Sequence, residues 1–283
     1  MQILYEDRSV IAIDKLAGWM LVPFSWQHTQ RNLQAAIESC LGARAFWAKC
    51  RNLNFLRHVH RLDGDTSGIL LLAKSPGAVE TFGDLFESRQ MDKTYLAVVN
   101  GSPKEDEWVC RDPLEKDPSQ IGRMRVDPVN GKPAETFFRV LHRAHKQALV
   151  EARPFSGRTH QIRVHLWQAQ CAVAGDDLYG PQAQMIRPQG RGLNNPYPLG
   201  LRAIELKYID PFQRKPVVIQ APVDEFLQAF KFPRLAVKSI PLPYKPAAPE
   251  QKTPPAGTGP KPGPPSPGAA PENSGGAHRS KPR

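Results

Sequence analysis

The sequence predicts an α+β protein built on a large mixed, mainly antiparallel sheet with flanking helices. Short apolar runs with the character of strands outnumber the helical segments, and several of them follow one another with no helix between them. In addition, 40% of the 283 residues are hydrophobic and 23% are charged, which is typical of a globular domain with a substantial core.

Six apolar runs have the length and composition of strands and are bounded by turn residues. In chain order they are SVIAIDK, GILLLAKS, KTYLAVVNG, ETFFRVLHR, ALVEARPF and GLRAIELKYID. Helices are predicted at about 31–42, 77–89 and 159–170, with Thr159 as the N-cap of the third.

The last part of the chain has a different composition. Residues 241–283 hold 13 of the 29 prolines, six basic and two acidic side chains, and almost no large apolar residues. Such a segment cannot bury enough surface to offset the entropy of ordering it. The sequence therefore predicts a folded domain over 1–240 and a disordered basic tail over 241–283, with the long loop 181–199 facing the substrate.

Charge indicates the kind of partner. The net charge is +11 and the sequence pI is about 9.6, which favours a polyanion. The first ten residues lack the pattern of a signal peptide, and the longest apolar run, ILLLA, is too short to cross a bilayer. A cytoplasmic protein with no membrane contact is expected.

The four cysteines form no C-x-x-C pair and lie far apart in the chain. This spacing suggests neither a disulfide framework nor a thiolate zinc site. Reduced and mostly buried thiols are predicted.

Two stretches carry the candidate chemistry. HRLDGDTSG, residues 60–68, places Asp63 directly behind a histidine and an arginine and before a flexible turn. FSGRTHQIRVHLWQ, residues 155–168, places Arg163 at the border of the buried face of the third helix, where it must reach solvent or meet a carboxylate.

Three interpretations of these residues compete. A metal site would use the histidines and one aspartate of the two stretches, but two of its histidines are five residues apart, whereas one helical face needs a spacing of four. Its members would be His58, His60, Asp63, His160 and His165. In the second interpretation Asp63 and Asp65 form an acid and base pair, although a capping role in the turn suits Asp65 better. In the third, Asp63 alone is a carboxylate catalyst, kept ionised by Arg163.

Four motifs in this order resemble the RluA-type family of pseudouridine synthases, over roughly residues 3–222. HRLDGDTSG is similar to the family's H-R-L-D-x-x-T-S-G, KTYLAVVNG to K-x-Y-x-A-x-V-x-G, GRTHQIRVHL to G-R-T-H-Q-I-R-x-H, and AGDDLYG to G-D-x-x-Y-G. The chain departs from the family pattern twice. DKLAG at 14–18 stands where the family usually has N-K-P-x-G, and Arg202 stands in LRA where the family has the histidine of L-H-A.

The resemblance implies the pseudouridine synthase fold, with loops and helices around a central cleft, and isomerisation of uridine in rRNA or tRNA without cofactor or metal. It implies that Asp63 is the catalytic carboxylate, that Arg163 pairs with it, that Tyr95 stacks on the target base, and that Arg61 holds the flipped-out nucleotide. GWMLVPFSW at 18–26 is similar to the subgroup that acts on tRNA. A monomer with no obligate protein partner is expected.

Two questions stay open at this point. A non-catalytic RNA-binding protein of the same fold is the alternative function, although such a protein has no need of Asp63. The chemical step of Asp63 is also open: attack at C6, attack at C1′, or proton abstraction from C2′.

Overall fold

The computed structural model describes residues 1–21, 31–180 and 196–234, and these residues form twelve strands and five helices. The strands are β1 (Ile3–Glu6), β2 (Val10–Lys15), β3 (Arg57–His58), β4 (Ser67–Ala73), β5 (Asp92–Asn100), β6 (Glu107–Cys110), β7 (Leu114–Lys116), β8 (Met124–Val126), β9 (Thr136–Arg143), β10 (Gln147–Pro154), β11 (Leu201–Ile209) and β12 (Pro216–Gln220). The helices are α1 (Leu33–Gly42), α2 (Phe46–Lys49), α3 (Pro76–Glu87), α4 (Gln161–Gln168) and α5 (Asp224–Ala229).

Ten of these strands form one sheet, in the order β1-β2-β4-β11-β5-β10-β9-β6, with β12 added to β11 and β3 to β4. The strands β7 and β8 form a separate hairpin. Every pairing is antiparallel except that of β4 with β11, which is parallel and covers only two residue pairs. The predicted mixed, mainly antiparallel sheet is confirmed.

The six apolar runs become β2, β4, β5, β9, β10 and β11, so these sequence predictions are confirmed. All seven residues of β4 are buried, because the sheet is covered on both faces there and a continuous apolar run suits that position. The short strands β1, β3, β6, β7, β8 and β12 were not predicted, because two to five residues carry too little periodicity to be recognised.

Apolar packing divides the described part of the chain into two halves. In the first half, α1 and α3 pack against β2 and β4. In the second half, α4 covers one face of β5 and β10, and α5 covers the other face. The two halves meet where β4, β11 and β5 lie side by side at the middle of the sheet.

The three predicted helices form, with corrected ends. Asn32 caps α1 and Ser75 caps α3 through their side-chain oxygens, as polar N-cap residues do. The predicted cap Thr159 is wrong, because α4 begins at Gln161. The residue before it, His160, adopts a left-handed backbone with φ 54° and makes no side-chain cap.

Three other expectations meet the structure differently. All four cysteines are free thiols, but only Cys171 is buried, so the expected burial was wrong for the other three. The tail 241–283 and residues 181–195 of the predicted substrate loop lie outside the described residues. Among the residues that are described, no helix has both the length and the apolar character that a membrane span needs.

Candidate active site

Asp63 lies in the turn that leads into β4. The preceding Leu62 is buried in the core of the first half, and the backbone N–H of Thr66 donates to the Asp63 carbonyl at 3.2 Å. The Asp63 side chain is 18% exposed. A packed residue before it and a closed turn after it hold the carboxylate in place, while a ligand can still reach it from one side.

Lys15 fastens this turn to the sheet. Its side chain is fully buried at the end of β2, and its ammonium donates to the carbonyls of Leu16, Gly64 and Thr66 at 3.1, 2.8 and 2.8 Å. Burial lowers the pKa of Lys15 to about 8, against the opposing charges of Asp65 and Asp63. The charge of Asp65 acts on Lys15, so the two side chains lie near each other. The predicted capping role of Asp65 stays a prediction.

Arg163 approaches Asp63 from the other half of the molecule. It lies on α4, is 5% exposed, and its Nη1 donates to Asp63 Oδ2 at 3.2 Å. Arg163 therefore takes the second of the two options that the sequence left open, a carboxylate partner inside the protein. Because Asp63 and Arg163 are 100 residues apart, the fold of both halves has to be correct for them to meet.

The main partner of Arg163 is Asp176, which the sequence analysis did not pair with it. Arg163 Nε and Nη2 donate to the two Asp176 oxygens at 2.7 and 2.8 Å, and Asp176 Oδ1 also accepts the backbone N–H groups of Leu178 and Tyr179. Burial would lower the pKa of Arg163, but the hydrogen bonds and charge of Asp176, with the charge of Asp63, raise it. The signal available in the sequence was the acid-rich turn AGDDLYG.

Tyr95 lies in the middle of the sheet, on the face that carries the Asp63 turn. Tyr95 stands opposite Ala203, Ala203 opposite Gly68, and Gly68 opposite Lys15, so these residues form one row across four strands. A side chain at Gly68 would collide with the Ala203 carbonyl oxygen, so this position of the row requires glycine. Burial, together with the charge of Asp63, raises the pKa of the half-buried Tyr95.

The residues before Asp63 differ in exposure. Arg61 is exposed at the surface, and its charge acts on His58 and His160. The His60 ring stacks on Phe86 and its Nε2 accepts the Leu71 backbone N–H at 3.0 Å, while burial lowers its pKa to about 3. His60 therefore holds the chain against β4 as a neutral ring.

The residues of the metal interpretation do not come together. His58 contacts Gln34, and the buried His165 contacts Thr136 and the Asp112 carbonyl. Within the described ranges, no three histidine, cysteine, aspartate or glutamate side chains form a group that could hold a metal ion. Of that set, His160 lies near Asp63, with Nε2 at 3.9 Å from Asp63 Oδ1.

The two departures from the family pattern contact each other. Arg202 Nη2 donates to Asp14 Oδ2 at 2.6 Å, and Arg202 Nε donates to the Pro222 carbonyl at 3.0 Å. Arg202 is 2% exposed, and the pair spans β4 from β2 to β11. This contact stabilises the sheet next to β4 and β11, whose parallel pairing covers only two residue pairs.

A family model described as RNA pseudouridylate synthase matches residues 27–168, half of the chain. This chain belongs to that family. The match includes Asp63, Tyr95 and Arg163. RNA pseudouridylate synthases isomerise uridine in RNA to pseudouridine, and RNA is thus the partner of this synthase.

Curated relatives extend the similarity beyond the matched segment. The synthase is 37% identical over 228 residues to "Ribosomal large subunit pseudouridine synthase C" of Vibrio vulnificus, covering 80% of this chain and 67% of that protein. It is also 37% identical over 230 residues to the protein of the same name from Escherichia coli K12, with the same coverage.

Solved structures show the same fold. Human RNA Pseudouridylate Synthase Domain Containing 4 superposes with a TM-score of 0.62 at 24% identity, covering 81% of this chain and 91% of that one. Human RNA Pseudouridylate Synthase Domain Containing 1 gives 0.56 at 22% identity, covering 81% and 94%. The predicted pseudouridine synthase fold is confirmed.

Proposed function

We propose that this synthase converts uridine of large-subunit ribosomal RNA to pseudouridine, with Asp63 as the catalytic carboxylate. The observation that carries the proposal is the position of Asp63, a partly exposed carboxylate whose Oδ2 is bound by the buried guanidinium of Arg163. The ribosomal substrate is supported by the relatives, whose names place their activity on the ribosomal large subunit.

The base must leave the RNA helix before its glycosidic bond can react, at a cost of a few kcal/mol. Exposed Arg61, beside the Asp63 turn, is proposed to hold the flipped-out conformation. Tyr95 is proposed to stack on the base from its position in the middle of the sheet. The net charge of +11 supplies attraction for the RNA backbone that is independent of its sequence.

Inside the site, Asp63 has to act as an anion. The Arg163 guanidinium donates to Asp63 Oδ2 at 3.2 Å, so a positive charge lies directly beside the carboxylate. The proposal assigns to Asp63 the step that frees the base from C1′, so that the base turns and rejoins the ribose through C5.

Three wider proposals accompany this function. Residues 1–240 form the catalytic domain and 241–283 a basic tail that tethers RNA. The synthase works as a monomer, which is supported by the fact that Asp63, Tyr95, Arg163 and Asp176 all come from one chain. It works in the cytoplasm. Its relatives are bacterial proteins, and bacteria transcribe ribosomal RNA in the cytoplasm.

The test is a map of pseudouridine across ribosomal and transfer RNA from cells with and without the gene. The proposal expects one or a few positions in the large-subunit RNA to lose pseudouridine when the gene is deleted and to regain it when the gene is restored. Loss confined to tRNA would overturn the ribosomal substrate, and an unchanged map would overturn the catalytic function.

A further inference from the structure

His160 is placed at the site by unusual local geometry. It precedes α4 in a left-handed backbone conformation, which few residues other than glycine adopt. This conformation directs its ring between two groups: Nδ1 lies 2.9 Å from Tyr179 Oη, and Nε2 lies 3.9 Å from Asp63 Oδ1. The other Asp63 oxygen, Oδ2, is the one bound by Arg163.

The contacts of Tyr179 favour one position for the proton of the His160 ring. Tyr179 Oη accepts the backbone N–H of Met124 at 2.8 Å, and a backbone N–H can only donate. The hydroxyl proton of Tyr179 is therefore available for His160 Nδ1. Burial lowers the pKa of His160, against the charge of Asp63, so the ring is neutral at pH 7. A neutral ring that accepts at Nδ1 carries its proton on Nε2, on the side of Asp63.

The gap between His160 and Asp63 has the size of one shared oxygen. At 3.9 Å, Nε2 and Oδ1 are too far apart for a direct hydrogen bond, yet closer than two hydrogen-bond lengths. An oxygen beside both atoms can reach each of them. It would have to accept from Nε2–H and donate to the carboxylate, which a hydroxyl group of a substrate can do in place of a water molecule.

From these contacts we infer that His160 and Asp63 together bind the 2′-hydroxyl of the target nucleotide, an inference that rests on the proposed function. Within an RNA chain, the 2′-hydroxyl is the free hydroxyl of a uridine, and it is attached to C2′, next to the C1′ whose bond to the base must break. The uracil ring offers an N–H donor and carbonyl acceptors, but no group that both donates and accepts. The 2′-hydroxyl is also the group by which a protein distinguishes RNA from DNA.

The test combines a change in the enzyme with a change in the ribose. An RNA fragment that the wild-type synthase converts is made with either uridine or 2′-deoxyuridine at the converted position, and single-turnover rates are measured. His160→Leu is expected to slow the uridine RNA about tenfold and the deoxyuridine RNA less than about twofold, since only the first has the hydrogen bond to lose. Equal slowing of both RNAs would overturn the inference.

Two further variants keep the test decisive if His160→Leu is poorly folded. Tyr179→Phe keeps the ring but removes the hydroxyl that orders His160, and it should lower the preference for uridine RNA in the same way; an unchanged preference would overturn the inference. His160→Gln restores an N–H donor and should recover part of the preference. His145→Leu, at an exposed histidine, is the matched control and should leave both rates unchanged.

The outcome is independent of which RNA is the natural substrate. Failure of the ribosomal proposal would appear as conversion by the wild-type synthase of tRNA fragments alone, and the comparison of the two riboses then uses those fragments. Failure of the ribose contact would appear as equal slowing on whichever RNA is converted.

Discussion

Arg163 is bound more tightly to Asp176 than to Asp63. Two guanidinium nitrogens donate to Asp176 at 2.7 and 2.8 Å, whereas a single nitrogen reaches Asp63 at 3.2 Å. The Asp176 side chain is fully buried and Asp63 is partly exposed. Asp176 therefore fixes the orientation of the guanidinium, which leaves Nη1 to donate to Asp63. The orientation of Arg163 thus does not depend on Asp63, the residue that is proposed to react.

The first prediction concerns the way in which Asp176 orients Arg163. Asp176→Asn removes the charge that faces a buried arginine, and breaking one side of a buried pair costs roughly 3–5 kcal/mol. The free energy of unfolding in urea is expected to fall by about that amount, and the turnover rate should fall as well, because Arg163 is then free to move. Asp177→Asn is the matched control, since Asp177 is 35% exposed and 3.7 Å from the same guanidinium. Equal losses for both variants would contradict the assigned role of Asp176.

The second prediction follows from the pKa of Lys15. This pKa is lowered from 10.5 to about 8 in the folded protein, so between pH 8 and 10.5 the unfolded chain binds a proton that the folded protein has released. The free energy of unfolding should therefore gain a contribution from Lys15 as pH rises through this window. Turnover should fall above about pH 8, because the ammonium that holds the Gly64 and Thr66 carbonyls loses a proton and its charge.

Lys93 is the control for this experiment. Burial lowers its pKa to about 8 as well, but its ammonium donates to the Ser156 carbonyl, whereas Lys15 donates to the Gly64 and Thr66 carbonyls of the Asp63 turn. Lys15→Met and Lys93→Met should each remove part of the pH dependence of unfolding, measured by urea titrations from pH 7 to 10. The alkaline fall in turnover should disappear only with Lys15→Met, at a lower overall rate. If Lys93→Met removes it instead, Lys15 is not the group responsible.

The third prediction concerns the pair of Asp14 and Arg202. Asp14→Asn leaves a buried guanidinium without its carboxylate, and Arg202→His leaves Asp14 without its guanidinium, so each is expected to cost roughly 3 kcal/mol. The double variant D14N/R202H carries the residues of the family pattern and should be more stable than either single variant. Thermal or urea unfolding of the four proteins gives the coupling energy directly. If the stability cost of the double variant equals the sum of the two single costs, Asp14 and Arg202 contribute independently.

The sequence predicted most of the sheet and the chemistry, but few of the contacts that position it. The runs that became β4 and β5 were recognisable because burial on both faces demands apolar residues. Asp63 and Arg163 were recognisable from their motifs. The pairing of Arg163 with Asp176 was not, because it depends on how α4 sits against a turn 13 residues later in the chain. The Asp14–Arg202 contact depends on the strand order β2-β4-β11, which joins residues 188 apart.

The same limit applies to His160. Thr159 was the better N-cap by residue type, yet the chain turns through a left-handed residue and the helix starts one residue later than that cap would allow. Residue preferences do not report such a conformation unless glycine or asparagine marks it. The two groups beside His160 are the Tyr179 hydroxyl and the Asp63 carboxylate, which belong to two other segments of the chain. Only the complete fold brings them together.

The last prediction tests the proposed chemistry itself. Asp63→Asn keeps the size of the side chain but removes the charge, and the Asp63 side chain is exposed enough that the fold should survive. Pseudouridine formation is expected to fall below detection, while the affinity for RNA, measured at fixed salt because phosphate contacts depend strongly on it, should stay within about threefold of wild type. Asp65→Asn, two residues further along the same turn, is the matched control and should retain most of the activity. Substantial product from Asp63→Asn would remove Asp63 from the reaction. A wild-type protein that binds RNA without making product would instead favour the non-catalytic RNA-binding alternative.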